Sequence, residues 1–250
     1  NGESLLVLGI AGTGKTHFVK GLIENLKVLG KNTDAISKTH TASERIKGVT
    51  ADHYIRRHVL HGISTADCIW CDEFGQIEHS IWCELNKLDK QWILSGDENQ
   101  FLPIWSSYRG VDIDEHRLHK SRFLHQLCGG NRLVLTECMR SERELFDYYS
   151  TLIYGGSRFQ IPLDQVLVEA RGIFHFEGPA KNNLVISHRK RININKELNI
   201  LQKPDDAIFI KTKPLQGQLC KTQDMWIWPG LEVLGCTQAS KKVKNNVLYV

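Results

Sequence analysis

The run Gly9-Ile-Ala-Gly-Thr-Gly-Lys-Thr16 sets a glycine, four residues, and then Gly14-Lys15-Thr16 in a row. That spacing builds a phosphate-binding loop. Glycines let the backbone curl until its N–H groups point at phosphate oxygens. A helix starting just after the loop adds its positive N-terminal end. Lys15 can reach the β- and γ-phosphates of a nucleoside triphosphate, and the Thr16 hydroxyl can ligate Mg²⁺. Gly9, Ala11, Gly12, Thr13, Gly14, Lys15 and Thr16 are the candidate nucleotide-binding residues. A chance glycine-rich turn is the alternative. The apolar run Leu5-Leu6-Val7-Leu8 before the loop and an amphipathic pattern after it argue against chance.

Two later runs narrow the chemistry. Cys68-Ile-Trp-Cys-Asp72-Glu73 is an apolar strand ending in two acids. The first carboxylate can hold Mg²⁺ beside the phosphate loop, and the second can orient and deprotonate an attacking water. This pair points to a hydrolysing ATPase rather than a small-molecule kinase. Ile93-Leu-Ser-Gly96-Asp97-Glu-Asn-Gln100-Phe-Leu-Pro103 then runs from a strand into a polar loop. Gln100 is an uncharged donor that could sense the γ-phosphate. Alone, Gly-Asp-x-x-Gln is weak; in order behind the other two runs it is strong.

These groups need elements to hold them. Apolar runs read as strands at Leu5–Leu8, Ala35-Ile36, Cys68–Cys71, Trp92–Leu94 and Arg132–Thr136. Helical patterns alternate with them: Phe18, Leu22, Leu26 and Leu29 on one face, then Ile81–Leu88, then Glu142–Ile153. Alternation of this kind implies βαβ crossovers and a parallel sheet covered on both faces. Near Tyr154-Gly155-Gly156 and Pro162 the character changes, which marks a domain boundary. The expected organisation is a first domain over 1–156, a connecting region over 157–182, and a second domain over 183–250. That second part opens with the strand Leu184–Ser187 and the helix-like Arg191–Leu201. It closes with β-like runs at 208–210, 226–228, 231–234 and 247–250, an antiparallel element.

Bulk properties exclude several classes. With 250 residues, 41% hydrophobic and 24% charged, the chain has the composition of a soluble globular protein with room for one or two cores. No apolar stretch approaches the ~20 residues that span a bilayer, and no secretory signal is visible. A net charge of +4 is compatible with nucleic acid without requiring it. Seven cysteines without a dense framework fit a reducing, intracellular compartment, cytoplasm or nucleus. Cys68-x-x-Cys71 with His79 and Cys83 has the spacing of zinc ligands. However, residues three apart on a strand face opposite ways, so these read as buried structural cysteines.

The motifs in this order resemble the RecD-like, 5′→3′ branch of superfamily 1 DNA helicases. The resemblance rests on Gly-x-Ala-Gly-Thr-Gly-Lys-Thr, Asp-Glu and Gly-Asp-x-x-Gln-x-x-Pro. Ser37-Lys-Thr39-His40-Thr-Ala42-Ser-Glu-Arg-Ile46 is similar to the family motif whose threonine contacts single-stranded DNA phosphates. Gly48-Val-Thr50-Ala-Asp-His53 is similar to a further segment near DNA. Leu135-Thr-Glu-Cys-Met-Arg140 is similar to the motif whose arginine reaches the γ-phosphate. The resemblance implies an α/β fold: a RecA-like P-loop motor domain with a parallel sheet, then part of a second RecA-like domain. Ile186–Asn195 would open the latter, and Trp228-Pro-Gly230 with Asn245-Asn246 would belong to a small β-rich insertion.

The implied activity is ATP hydrolysis coupled to translocation on a single strand of nucleic acid, DNA rather than RNA, with ATP and Mg²⁺ as cofactors. Implied catalytic residues are Glu73, Gln100 and Arg140; implied metal ligands are Thr16 and Asp72. Implied strand contacts are Thr39, His40, Thr50 and His53, with no membrane partner and a monomer favoured. Only eight residues precede Gly9, where the family has an adenine-reading segment, and the chain opens on Asn1 rather than methionine. Two family motifs would also follow Val250, so this stretch alone is expected to bind ATP weakly and turn it over slowly.

Other features carry less. His188-Arg189-Lys190-Arg191 reads as a solvated helix end rather than a phosphate contact. Trp105 and Tyr54 could stack bases, but aromatics in an α/β domain are more often core. Asp112, Asp114 and Glu115 read as surface. Two rival functions stay open: another P-loop ATPase of DNA processing, or a non-catalytic nucleic-acid-binding module.

Overall fold

The computed structural model describes the chain outside residues 1–2, 63, 101–102, 104–106, 109–110, 113–120, 154–159, 176–182, 184, 186, 213–222 and 236–247; of 107–108 and 111–112 it describes the backbone alone. The expected boundary at 154–156 therefore lies outside the described residues. So do Trp105, Asp114, Glu115, Asn245-Asn246 and most of the expected strand at 184–187.

Apolar runs supply the buried strands at the centre of a parallel sheet, and shorter or more polar segments join them toward its edges. In chain order the first are β1 (Leu5–Leu8), β2 (Thr33–Ser37), β3 (Val49–Thr50), β4 (Cys68–Asp72) and β5 (Gln91–Gly96). The short β6 (Ser107–Tyr108) and β7 (Val111–Asp112) pair antiparallel with each other, and β8 is Arg132–Val134. Six of these strands form one sheet in the order β3-β2-β4-β5-β1-β8. Every pairing in it is parallel. β5 thus lies between the strand that feeds the phosphate loop and the strand that ends in the two acids.

Crossovers supply α1 (Lys15–Val28), α2 (His40–Arg45), α3 (Ala51–Tyr54), α4 (His79–Leu85) and α5 (Arg122–Leu127), and α6 (Arg143–Ile153) follows β8. A π-helical turn at Ile55–Val59 continues α3. α7 (Leu163–Ile173) falls in the stretch expected only to connect.

The two sheet faces carry separate cores. Val7, Val19, Ile46, Cys68, Trp70 and Ile93 fill one, with Leu22, Ile23 and Leu26 against them. Leu6, Ile36, Ile69, Cys71, Trp82 and Leu94 belong to the other. Cys68 and Cys71 face opposite cores, because alternate strand residues point opposite ways. One expectation needs correction, and one is decided. α1 packs through Val19, Leu22, Ile23 and Leu26, while Phe18 and Leu29 are exposed; the apolar stripe is rotated by one residue. Tyr54 is buried, and its hydroxyl donates to Asp34 Oδ2 at 2.8 Å, with Ser64 Oγ at 2.9 Å. It is core and has no free ring face for a base.

Residues 1–166 and 167–250 form two compact units. In the second, α8 (His188–Gln202) is capped by Ser187 Oγ, which accepts from Lys190 N at 3.2 Å, and buries none of its residues. β9 (Ile208–Ile210) pairs antiparallel with β10 (Met225–Ile227), and β11 (Val233–Leu234) with β12 (Leu248–Tyr249). Asn199 ties α8 to β10: its Nδ2 donates to Trp226 O at 2.8 Å, and Trp226 N donates to its Oδ1 at 2.7 Å. Among the described residues no helix is long and apolar enough to cross a membrane.

Candidate functional site

The phosphate loop leaves β1 at Leu8 and turns back into α1. A Cβ on Gly9 would stand 2.5 Å from Thr13 Oγ1 and 2.7 Å from the Leu135 carbonyl, so only glycine fits there. Gly14 caps α1 at φ 83°, in the left-handed region that glycine adopts without strain. Thr13 Oγ1 donates to Ile10 O at 2.9 Å and holds the loop closed. Lys15 is buried, and its ammonium donates to Gly9 O at 2.7 Å and Ile10 O at 3.1 Å. Burial lowers the Lys15 pKa; Asp97, Glu73 and Asp72 work in the opposite direction. A buried ammonium among acids and carbonyls would gain further from a phosphate.

The acids meet this loop at the end of β4. Asp72 is 1% exposed. Its Oδ1 accepts from Ser95 Oγ at 2.7 Å, and Ser95 Oγ accepts in turn from Trp70 Nε1 at 2.8 Å. Ser37 Oγ donates to the Asp72 carbonyl at 3.0 Å. The Thr16 hydroxyl faces Asp72 Oδ2 at 3.5 Å. Neighbouring strands thus fix the carboxylate's direction, and the phosphate-loop helix brings the second oxygen to it.

Glu73 stands at φ 55°, ψ 46°. That conformation costs a non-glycine residue on the order of 1–3 kcal/mol, strain of a kind that clusters at functional sites. The turn takes its side chain out of the strand alternation. Burial and the adjacent Asp72 raise the Glu73 pKa, while Arg45 and Lys15 oppose the rise. The donor set of Thr16 and Asp72 suits Mg²⁺: two hard oxygens 3.5 Å apart, near the edge of about 3 Å expected for an octahedron with ~2.1 Å bonds.

β5 delivers the third run. A Cβ on Gly96 would meet the Phe74 ring at 2.6 Å, so the strand must end in glycine to pass it. Asp97 is buried and organises the turn, accepting from Asn99 N at 3.0 Å and Gln100 Nε2 at 3.5 Å. Gln100 is therefore held beside Asp97, whose charge acts on Lys15.

Arg140 reaches the same loop from a different side of the sequence. Met139 N donates to Gly12 O at 2.8 Å, and Tyr149 Oη donates to Ala11 O at 3.1 Å. A Cβ on Gly12 would meet Cys138 Sγ at 3.3 Å and Arg140 Cβ at 3.4 Å. The Arg140 side chain itself is exposed.

The expected strand contacts gather at the carboxyl ends of β2 and β3. Thr39 and Thr50 cap α2 and α3, their hydroxyls accepting from Ala42 N at 3.2 Å and His53 N at 3.3 Å. Thr39 and His53 are exposed; His40 and Thr50 are half-buried. The threonine positions thus have a local structural role whatever else they touch.

Sequence reasoning passed over Arg45, Ser95, Ser37 and Tyr149. Ser95 and Ser37 were readable as small polar residues inside apolar strands beside Asp72. Arg45 and Tyr149 had no such signal, since their partners lie far off in sequence.

Comparison with known proteins adds one kind of result. No family model matches the chain, and no curated protein does. Solved structures do. A Pif1 helicase from Bacteroides in complex with ADP-AlF3 and ssDNA superposes with a TM-score of 0.64 at 18% identity, over 98% of this chain and 64% of that one. The Pif1 helicase from Candida albicans gives 0.62 at 14% identity, over 99% and 64%. The chain shares the Pif1 helicase fold. It spans 64% of the length of those two Pif1 chains. At such identities the Pif1 likeness concerns the fold: an α/β domain with a six-stranded parallel sheet, as in RecA-like helicase domains.

Proposed function

We propose that the chain is part of a superfamily 1 DNA helicase, binding ATP on Gly9–Thr16 and coupling its hydrolysis to movement along single-stranded DNA. The observation that carries this reading is the convergence of Lys15, Thr16, Asp72 and Glu73 at one sheet edge, with the Thr16 hydroxyl 3.5 Å from Asp72. The Pif1 likeness supports it, since those proteins are helicases and one was captured with ADP-AlF3 and ssDNA. The 5′→3′ direction and the RecD-like branch are the finer part, supported by the resemblance of the motifs to that branch. Residues 183–250 as part of a second motor domain belong to the same reading. So do a monomer and a reducing intracellular setting.

The chemistry follows from the side chains. The loop N–H groups and the α1 N-terminus take the phosphates, and Lys15 exchanges its two carbonyl partners for phosphate oxygens. Mg²⁺, held by Thr16 and Asp72, would neutralise charge on the β- and γ-phosphates. Glu73 accepts the proton of the attacking water at its carboxylate, and its raised pKa brings it closer to the working range of a general base. Gln100 orients water or a γ-oxygen, and Arg140 supplies positive charge as the transition state forms. Thr39, His40, Thr50 and His53 touch the strand at the neighbouring strand ends.

ATP turnover measured with and without oligo-dT, in the wild type and in Lys15→Ala, tests the reading. Turnover that rises with DNA and disappears in Lys15→Ala supports it. Lys15-dependent turnover indifferent to DNA would instead mark another P-loop ATPase, and DNA binding without turnover a non-catalytic module.

A further inference from the structure

Arg45 is an unexpected neighbour for a metal-binding carboxylate. It is the last residue of α2, and its Nη2 lies 3.1 Å from Asp72 Oδ2 and 3.3 Å from Glu73 Oε1. Asp72 Oδ2 is also the oxygen that the Thr16 hydroxyl faces. The other oxygen, Oδ1, is already taken by Ser95. The guanidinium therefore occupies the carboxylate oxygen that a divalent cation shared with Thr16 would need.

The two partners differ in freedom. The Asp72 side chain is 1% exposed and that of Arg45 46%, so Arg45 can swing away while Asp72 cannot. The Arg45 carbonyl accepts from Lys20 Nζ at 2.9 Å, which anchors the end of α2 to α1 and leaves the guanidinium as the moving part. Two adjacent carboxylates need a counter-charge. A guanidinium supplies it without the demanding geometry of Mg²⁺. The opposite end of the same short helix is Thr39, with His40 next to it.

We propose that Arg45 is a gate on the cation position: its bridge to Asp72 and Glu73 must open for the metal to enter, and through α2 it links metal loading to nucleic-acid contact at Thr39 and His40. The inference rests on the helicase reading for its metal and its strand. Coupling of this kind is reciprocal, so a strand bound at α2 that favours release of the Arg45 guanidinium tightens metal binding, and metal binding tightens the strand by the same factor.

The test uses Mn²⁺ as the probe, its free fraction counted by electron paramagnetic resonance in the presence of ADP, where no turnover occurs. Arg45→Gln and Arg45→Ala are each expected to bind Mn²⁺ about tenfold tighter than the wild type without DNA, a difference well inside the reach of affinity titration. Oligo-dT should tighten Mn²⁺ binding to the wild type and leave both variants unchanged. Unchanged or weaker Mn²⁺ affinity in both variants would overturn the gate, and so would equal tightening by DNA with and without Arg45. Asp72→Asn separates the two levels: if it still binds Mn²⁺·ADP like the wild type, the metal reading beneath the gate is what fails.

Discussion

The acid centre and the arginine loop both reach the phosphate loop, and they are built in opposite ways. Asp72 is buried with each oxygen assigned to a partner from another element: Ser95 on one, Thr16 and Arg45 on the other. Arg140 is exposed, and its segment meets the phosphate loop through backbone and hydroxyl contacts at Gly12 and Ala11 rather than through its own charge. On the proposed roles, Asp72 would aim at a small cation and is held fixed, whereas Arg140 would answer charge appearing in a transition state and is left exposed. Substitutions at Asp72 and the side chains that hold it should therefore cost stability and activity together, and substitution of Arg140 activity alone.

Arg140→Ala is the sharpest way to break that contrast. Turnover should fall roughly 10²–10³-fold, in keeping with an arginine that stabilises phosphoryl-transfer charge. The thermal midpoint should stay within about 1 °C of the wild type, as for other exposed positions. Steady-state kinetics beside a melting curve decide it; a large loss of stability would put Arg140 among the structural residues. Ser95→Ala should lose stability as well as activity. It leaves buried Trp70 Nε1 and Asp72 Oδ1 without their shared partner, a loss of about 2 kcal/mol. Urea unfolding reads it directly.

Glu73→Gln sharpens the comparison from within the acid centre. The folded pKa of Glu73 is raised, chiefly by burial and then by Asp72. A carboxyl with a raised folded pKa favours folding below its unfolded pKa and loses that contribution as pH rises through the folded value. The glutamine variant should thus melt slightly higher than the wild type at pH 8, on the order of 1 °C. The gap should close as pH falls through the carboxylate range. Melting curves at both pH values check the sign.

The smallest effect concerns Cys138 beside Gly12. Hydrogen bonds from Ser141 are the first cause that lowers its thiol pKa to about 7, whereas burial pushes Cys128 up to about 11. Iodoacetamide should modify Cys138 well before Cys128 at pH 7.5, by peptide mass spectrometry. Cys138→Ser should remove the fast-reacting peptide.

Much of the sheet and of the acid centre is legible because local pattern and function coincide there. Apolar runs such as Leu5–Leu8 and Cys68–Cys71 have no partner but a buried parallel sheet, and the residues after them fall at its carboxyl edge. The rotation of the α1 stripe was not legible: Phe18, Leu22, Leu26 and Leu29 keep helical spacing as well as Val19, Leu22, Ile23 and Leu26 do. Only the sheet beneath chooses between them. β3 is two residues long and exists because Ile36 and Ser37 offer it an edge. α7 was missed because Pro162 and the glycines before it signal a break more loudly than eleven residues signal a helix. Arg45 escaped for a related reason: its ion pairs with Asp72 and Glu73 depend on β2 and β4 being neighbours, which local pattern does not encode.

The central claim is that Glu73, held beside Asp72, removes the proton from water when ATP and a strand are both bound. Single-turnover hydrolysis of ATP by the wild type and Glu73→Gln, each with and without oligo-dT, tests it most directly. The account predicts DNA-stimulated hydrolysis in the wild type. It predicts retained nucleotide binding with at least a roughly 10²-fold slower step in the variant. Hydrolysis by Glu73→Gln at the wild-type rate would contradict it.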